Sequence, residues 1–346
     1  MYLLNFIIVV VASFSFIPKL KSKHWSVRSF DFFRIQLLFV QIVLMAYVLF
    51  SVNLFSWIYV SSIIFLLLAI IQNARRIYKF TPLHKVQVPS HDNESSRVLK
   101  LLTANILQTN ESKYEFVSQM RELDPDFILM LEVDDKWAEA MLDLEPKYPY
   151  TVGQSLDNLY GILLLSKYPL HNSKIRHIVK EDIPSIDCEI EIEGKVLRFF
   201  GVHPEPPSPT EQPTSEDRDA ELLRLASEIK NIKQTTIVAG DLNDVVWSKT
   251  SEVFVKESGL FDPRVGRGLF ATFNAKLPRI LRFPVDQLFH TKNIHCKIIN
   301  AVQVKGSDHL GINYHFSINQ IDDTKWNKKK LSAEERLFLK DSKRLE

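Results

Sequence analysis

Four places in this chain put a chelating or proton-transferring side chain just where an apolar run ends. Glu132 follows the five apolar residues FILML, and Asn105 lies in TANILQTN past an earlier apolar run. Asp241 and Asn243 stand in IVAGDLND, and Asp308 and His309 stand together in VKGSDHLG. A lone ionised carboxylate at the end of a buried strand is strongly disfavoured unless it is paired or binds a metal. Side chains at i and i+2 point the same way if extension continues, which sets Asp241 and Asn243 side by side. Each place also has an ordinary alternative. Glu132 could pair with an arginine, Asp241 and Asn243 could cap a turn, and Asp308-His309 could be a surface dipeptide. His203 closes VLRFFGVH ahead of a loop with five prolines in residues 204–218, and a histidine titrating near neutrality suits proton transfer or phosphate contact.

The elements that must carry these residues alternate between strand and helix. Strand patterns cover Arg97–Ala104, Phe127–Val133, Gly161–Leu165 and Thr235–Ala239, then Val285–His290, Lys297–Val304 and Gly311–Phe316. Ile186–Glu193 alternates strictly, turns at Gly194-Lys195 and returns through Val196–Val202 as a hairpin. Ser112–Leu123 and Asp217–Lys230 are amphipathic helices. Hairpins mixed with helical crossovers predict an α/β domain of two packed sheets rather than one doubly wound sheet. Two cysteines, Cys188 and Cys296, exclude a disulfide framework and a thiolate zinc cluster. Neither G-x-x-x-x-G-K-[ST] nor G-x-G-x-x-G occurs, which removes the usual P-loop and dinucleotide readings.

The 346 residues carry a formal net charge of +2, a figure that hides three unlike parts. Residues 1–90 hold nine bases and one acid, residues 91–324 hold 26 bases and 36 acids, and residues 325–346 hold eight bases and four acids. Residues 2–18 are apolar, and from Ile35 to Ala74 forty residues pass without an Asp, Glu, Lys or Arg. Forty helical residues would reach about 60 Å, twice the hydrocarbon core of a bilayer. Three transmembrane spans near 2–18, 35–53 and 56–74 are therefore expected, the chain reversing around Asn53, Leu54, Phe55 and Ser56. Basic clusters follow the first and third spans, so the positive-inside rule puts the catalytic part in the cytoplasm. The expected plan is an anchor over 1–80, a polar linker over 81–96, a catalytic domain over 97–319 and a basic tail over 320–346.

Asn105, Glu132, GDLN at 240–243 and SDH at 307–309, in this order, resemble the endonuclease/exonuclease/phosphatase superfamily. The resemblance covers roughly residues 97–319. The apolar N-terminus with DIPSI at 182–186, HPEPP at 203–207, RDAEL at 218–222 and DPRVGRGL at 262–269 is similar to the membrane-anchored, YafD-like bacterial branch. The resemblance implies an α/β, DNase I-like four-layer sandwich of two mixed sheets flanked by helices, preceded by about three transmembrane helices in a bacterial inner membrane. It also implies a metal-dependent phosphoesterase. Glu132 and Asn105 would hold Mg²⁺ or Mn²⁺ with help from Asp308, a donor set of hard oxygens that fits such a cation. Asp241 would orient or deprotonate the attacking water, Asn243 would hydrogen-bond the phosphate, and His309 would act as base or charge stabiliser. Asp286 in PVDQLF would fix the tautomer of His309. His203 would serve the leaving oxygen or the phosphate, with Tyr160 as a phosphate contact; apart from the resemblance, Arg218 and Arg264 are candidate phosphate ligands, with solvated helix or turn roles as the alternative.

The acidic balance of residues 91–324 speaks against strong nonspecific DNA binding, which relies on lysine and arginine contacts to phosphate. Three functions are then expected in turn: a phosphodiesterase for nucleic acid or nucleotide, a phosphatase or phosphodiesterase for a lipid headgroup, and an inert membrane-tethered binding module. The partners implied are a phosphoester and the bilayer, with no protein partner inferable.

Overall fold

The computed structural model describes residues 2–51, 57–91, 97–319 and 330–344. The expected reversal at 53–56 and the first part of the basic tail lie outside the described residues. The N-terminal helices are α1 (Tyr2–Ser13), α2 (Trp25–Phe32), α3 (Arg34–Ser51) and α4 (Trp57–Tyr78). There follow β1 (Leu99–Asn105), α5 (Lys113–Leu123), β2 (Phe127–Leu131), α6 (Asp135–Met141), β3 (Tyr150–Gln154), β4 (Ile162–Ser166) and β5 (Leu170–Arg176). The chain continues through β6 (Ser185–Ile192), β7 (Lys195–Val202), α7 (Glu216–Ile229), β8 (Thr235–Asp241) and α8 (Lys249–Ser258). It closes with β9 (Asp286–His290), β10 (Ile294–Gln303), β11 (Leu310–Ile318) and α9 (Ala333–Ser342).

Two sheets form, one of six strands in the order β10-β11-β1-β2-β4-β3 and one of five in the order β5-β6-β7-β8-β9. Only β1–β2 and β7–β8 are parallel pairs. The sheets face each other across a core that includes Leu101, Leu129, Phe199, Ile237 and Leu288. Alternate residues of the same strands serve the outer layers. Leu102, Ile128 and Met130 pack on Phe116 of α5 and Trp137 of α6, while Phe200 and Val238 pack on Leu222 of α7 and Phe254 of α8. Strands covered on both faces read as unbroken apolar runs, which is why FILML and TTIVA lack a period of two. The result is the expected four-layer sandwich, with helices outside both sheets. The tail helix α9 opens with a capping box at Ser332 and Glu335 and lies on the α7–α8 layer through Phe338 and Leu339.

Topology gathers the chemistry at one pole. The parallel pair β1–β2 ends together at Asn105 and Leu131, and antiparallel β11 begins beside the end of β1, with Thr103 opposite Ile312. In the second sheet Val202 lies opposite Gly240, and Asp241 lies opposite Asp286 at the start of β9.

Two segments, Tyr2–Lys19 and Trp57–Tyr78, are long and apolar enough to cross a membrane, and the bent pair Trp25–Phe32 with Arg34–Phe50 makes a third if taken as one span. A buried polar cluster ties them together. Arg34 Nη1 donates to Asn73 Oδ1, Asn73 Nδ2 donates to Ser15 Oγ and Gln41 Oε1, and Gln41 Nε2 donates to Ser15 Oγ. Such cross-helix bonds hold apolar helices where no hydrophobic gain separates protein from lipid.

The N-terminal helices are also seated directly on the sandwich that follows them. Trp247 Nε1 donates to Asp31 O at 2.8 Å, Trp25 N donates to Pro213 O at 2.9 Å, and Arg76 pairs with Glu252 at 2.6 Å. The linker expected over 81–96 is corrected over its described part. Val88 is buried in the core between the sheets, and the backbone of Pro89 and His91 bonds that of Cys296. Polar composition made the segment look free, and a single buried valine with two strand-like bonds holds it down.

Candidate active site

At the shared pole the strand ends line a cleft of about 330 Å³. Asn105, Glu132, His203, Asp241, Asn243, Asp308, His309 and Tyr160 all face it. Eight of the eleven residues anticipated from sequence are therefore brought together by the fold. Asp286 stands behind His309, fully buried, with Oδ2 accepting from His309 Nδ1 at 2.9 Å. Arg218 is the exception. It is 2% exposed and absent from the cleft lining. Its guanidinium pairs with Asp219 at 2.9 Å and Asp244 at 3.3 Å and donates to the carbonyl of Asn243 at 2.8 Å. The phosphate contact expected of Arg218 is thus corrected: it braces the Asn243 loop from beneath. Arg264 is likewise buried, bound to Asp262 and to the carbonyl of Asp286.

Local backbone geometry aims the side chains. Glu132 leaves β2 with φ +66 and Asn243 leaves β8 with φ +49, left-handed conformations uncommon for side-chain-bearing residues. Gly240 has φ +152, and a Cβ there would lie 1.9 Å from the carbonyl oxygen of Val202. Only glycine lets β7 and β8 close up directly before Asp241. Ser307 Oγ donates to the carbonyl of Asn105 and accepts from His309 N, tying the SDH turn to the end of β1.

Asn105 Nδ2 donates to Glu132 Oε1 at 2.7 Å, and Gln108 N donates to Glu132 Oε2 at 3.1 Å. Burial nevertheless raises the Glu132 carboxyl above its ordinary range. Burial would lower His309, but Asp286 and Asp241 outweigh it and lift the imidazole to about 10. His309 Nε2 lies 3.7 Å from Asp241 Oδ2, a charge contact longer than a hydrogen bond. Burial and the neighbouring Asp286 push Asp241 upward. His203 is 3% exposed, rests against the Tyr160 ring, and is pushed by burial down to about 4. It is therefore neutral near pH 7, and its Nδ1 is buried with no hydrogen-bond partner among the described residues. The Tyr160 hydroxyl donates to Glu211.

Glu132, Asp241, Asp308 and Glu211 line the cleft, and no lysine or arginine does among the described residues. Apart from the His309 imidazole, a phosphoester entering it meets no cationic side chain among the described residues, so a bound cation would offset the four carboxylates. Asp241, Asp286 and His309 place one donor atom each within 4.8 Å of one another. His309 Nδ1 is already committed to Asp286, and a protonated imidazole repels a cation, so this trio holds a cationic imidazole between two carboxylates. The hard oxygens of Glu132, Asn105 and Asp308 fit a divalent cation better.

Several contributors left no local signal in the sequence. The Phe273 ring lies 4.7 Å from His309, Gln108 bonds Glu132 through its backbone, and Phe32 reaches the cleft from the anchor.

The chain is thus a four-layer α/β sandwich with polar residues gathered at one pole of two facing sheets. The model of the Endonuclease/Exonuclease/phosphatase family matches residues 102–309, and the chain belongs to that family. No curated protein matches the chain. Among solved structures, D. rerio TDP2 complexed with single strand DNA product is 16% identical, with a TM-score of 0.53 over 64% of this chain and 99% of that one. An endonuclease/exonuclease/phosphatase from Beutenbergia cavernae is 16% identical, with a TM-score of 0.52 over 64% of this chain and 72% of that one. TDP2 from C. elegans is 16% identical, with a TM-score of 0.51 over 65% and 77%. These likenesses establish the DNase I-like fold.

Proposed function

We propose that the protein is a divalent-cation-dependent phosphodiesterase, anchored by its apolar helices with the catalytic domain on the cytoplasmic face of a bacterial inner membrane. One observation carries this reading: four carboxylates, Glu132, Asp241, Asp308 and Glu211, line the cleft and, among the described residues, no lysine or arginine does. Glu132, Asn105 and Asp308 would hold Mg²⁺ or Mn²⁺, which when bound supplies Lewis-acid polarisation of a phosphoryl oxygen. Asp241 orients the attacking water and takes its proton. Protonated His309, held by Asp286, stabilises the charge that grows on the phosphoryl oxygens. Asn243 donates one N–H to the carbonyl of Pro204 at 3.0 Å and has a second to offer the phosphate. Neutral His203 offers a hydrogen bond to the departing oxygen.

The DNA product held by the zebrafish relative favours a diester over a monoester. The apolar helices seated on the domain favour the YafD-like branch of the family. The test is hydrolysis of bis-p-nitrophenyl phosphate by the purified full chain in Mg²⁺ or Mn²⁺. Glu132→Ala and His309→Ala should each lose most of the turnover, as should chelation. Turnover indifferent to all three, or no turnover of any diester, would sink the proposal.

A further inference from the structure

We infer that the cleft receives a phospholipid, a lipid carrying one phosphodiester, directly from the bilayer that holds the chain's own helices. This rests on the phosphodiesterase reading and names its substrate class. Three observations converge. Phe32, the last residue of α2, lines the cleft, so the segment leading into α3 forms part of the catalytic wall. Gln36, in the first turn of α3, donates to the carbonyl of Ile280 at 2.8 Å, which fixes the rim loop 274–283 at the level where that helix begins.

The rim loop has the composition of an interfacial segment. Leu277, Ile280 and Leu281 are 41%, 49% and 42% exposed. Lys276, Arg279 and Arg282 alternate with them, and none is ion-paired with a carboxylate among the described residues. Apolar side chains that enter the acyl boundary, with bases that meet anionic headgroups, bind a membrane surface. The loop continues straight into the site: Phe273 lies against His309, and Ala275 N donates to the carbonyl of Asp308 at 2.6 Å.

The cleft chemistry agrees. Phe32, Leu159, Phe273, Val285 and a pair of prolines give it apolar walls, and no lysine or arginine lines it among the described residues. A lipid needs a place for one phosphate and apolar surface beside it. In the reaction a water oxygen bonds to phosphorus and the P–O bond to one alcohol breaks. One water hydrogen ends on that alcohol, and the other ends on the new phosphate or in solvent.

The test uses the full chain reconstituted in vesicles of phosphatidylethanolamine and phosphatidylglycerol, with bis-p-nitrophenyl phosphate and a short single-stranded oligonucleotide as soluble references. We expect lipid phosphoester hydrolysis. Leu277→Ser/Ile280→Ser/Leu281→Ser, and separately Lys276→Glu/Arg279→Glu/Arg282→Glu, should lower the ratio of lipid to soluble-substrate turnover by about tenfold or more. An environment-sensitive dye at Leu281→Cys should be quenched by acyl-chain nitroxide lipids, a readout independent of turnover. Turnover of the soluble substrates with intact lipids, an unchanged ratio in both rim variants, or an unquenched dye would overturn the inference and leave the phosphodiesterase reading standing. No turnover of any substrate would overturn both.

Discussion

Replacing Asp286 with asparagine removes one charge and little else. The side chain is fully buried, and its Oδ2 accepts the Nδ1 proton of His309 at 2.9 Å. An amide of nearly the same shape can still accept that proton, so His309 stays in place. The bond loses its anionic acceptor, a difference of about 1–2 kcal/mol, which corresponds to roughly 5–30-fold in rate if the charge is felt at the transition state. A second effect concerns protonation. Asp286 is the largest favourable influence holding His309 near 10 against its burial, so its neutralisation lowers that value. A histidine held charged loses its charge as pH rises through its pKa, and the alkaline limb of the rate profile should move to lower pH. The assay is kcat and KM for bis-p-nitrophenyl phosphate from about pH 5 to 10, the range that spans both histidine forms. We expect kcat to fall by the stated factor with KM changed by less than about twofold. An unchanged kcat, or a rate loss with the alkaline limb in place, would refute the role of Asp286 in holding His309 charged.

Other substitutions test the scaffold. Burial raises Glu221 to about 7 while Ser185 bonds it, so this group favours the folded state at low pH. That contribution is complete below the unfolded value of 4.5 and is lost as pH rises through about 7, an amount on the order of 3 kcal/mol. Thermal unfolding of Glu221→Gln should therefore lose part of the wild-type decline between about pH 5 and 8, and an identical decline would refute the assignment. Arg218→Met strands Asp219 and Asp244 without their cation, a loss of about 3–5 kcal/mol and roughly 6–20 °C in the unfolding midpoint. An unchanged midpoint with a raised KM would instead return Arg218 to phosphate binding.

What could be read from the sequence follows from where information is local. Glu132, Asp241 and His309 were visible because a polar side chain interrupts an apolar run at a strand end, and that signal needs no knowledge of the partner strand. Arg218 gave no such signal. Whether a helix arginine points into a cleft or beneath it is decided by Asp244, a residue 26 positions later. Phe32 and Phe273 were hidden for the same reason, since neither alters its local pattern. Strands β3 and β5 escaped notice because they are edge strands, largely exposed, and HNSK within β5 carries no alternation. The helices of the anchor were legible from length and hydropathy, but their seating on the domain was not. It depends on single bonds such as Trp247 to Asp31, which no periodicity records.

The central claim is that the carboxylate cleft holds a divalent cation through Glu132. Binding of Mn²⁺ to the full chain, followed by electron paramagnetic resonance in the absence of substrate, tests it without relying on turnover. The account predicts saturable binding that Mg²⁺ displaces and that Glu132→Gln weakens by about tenfold or more. Binding that is absent, or that is unaltered by Glu132→Gln, would contradict it.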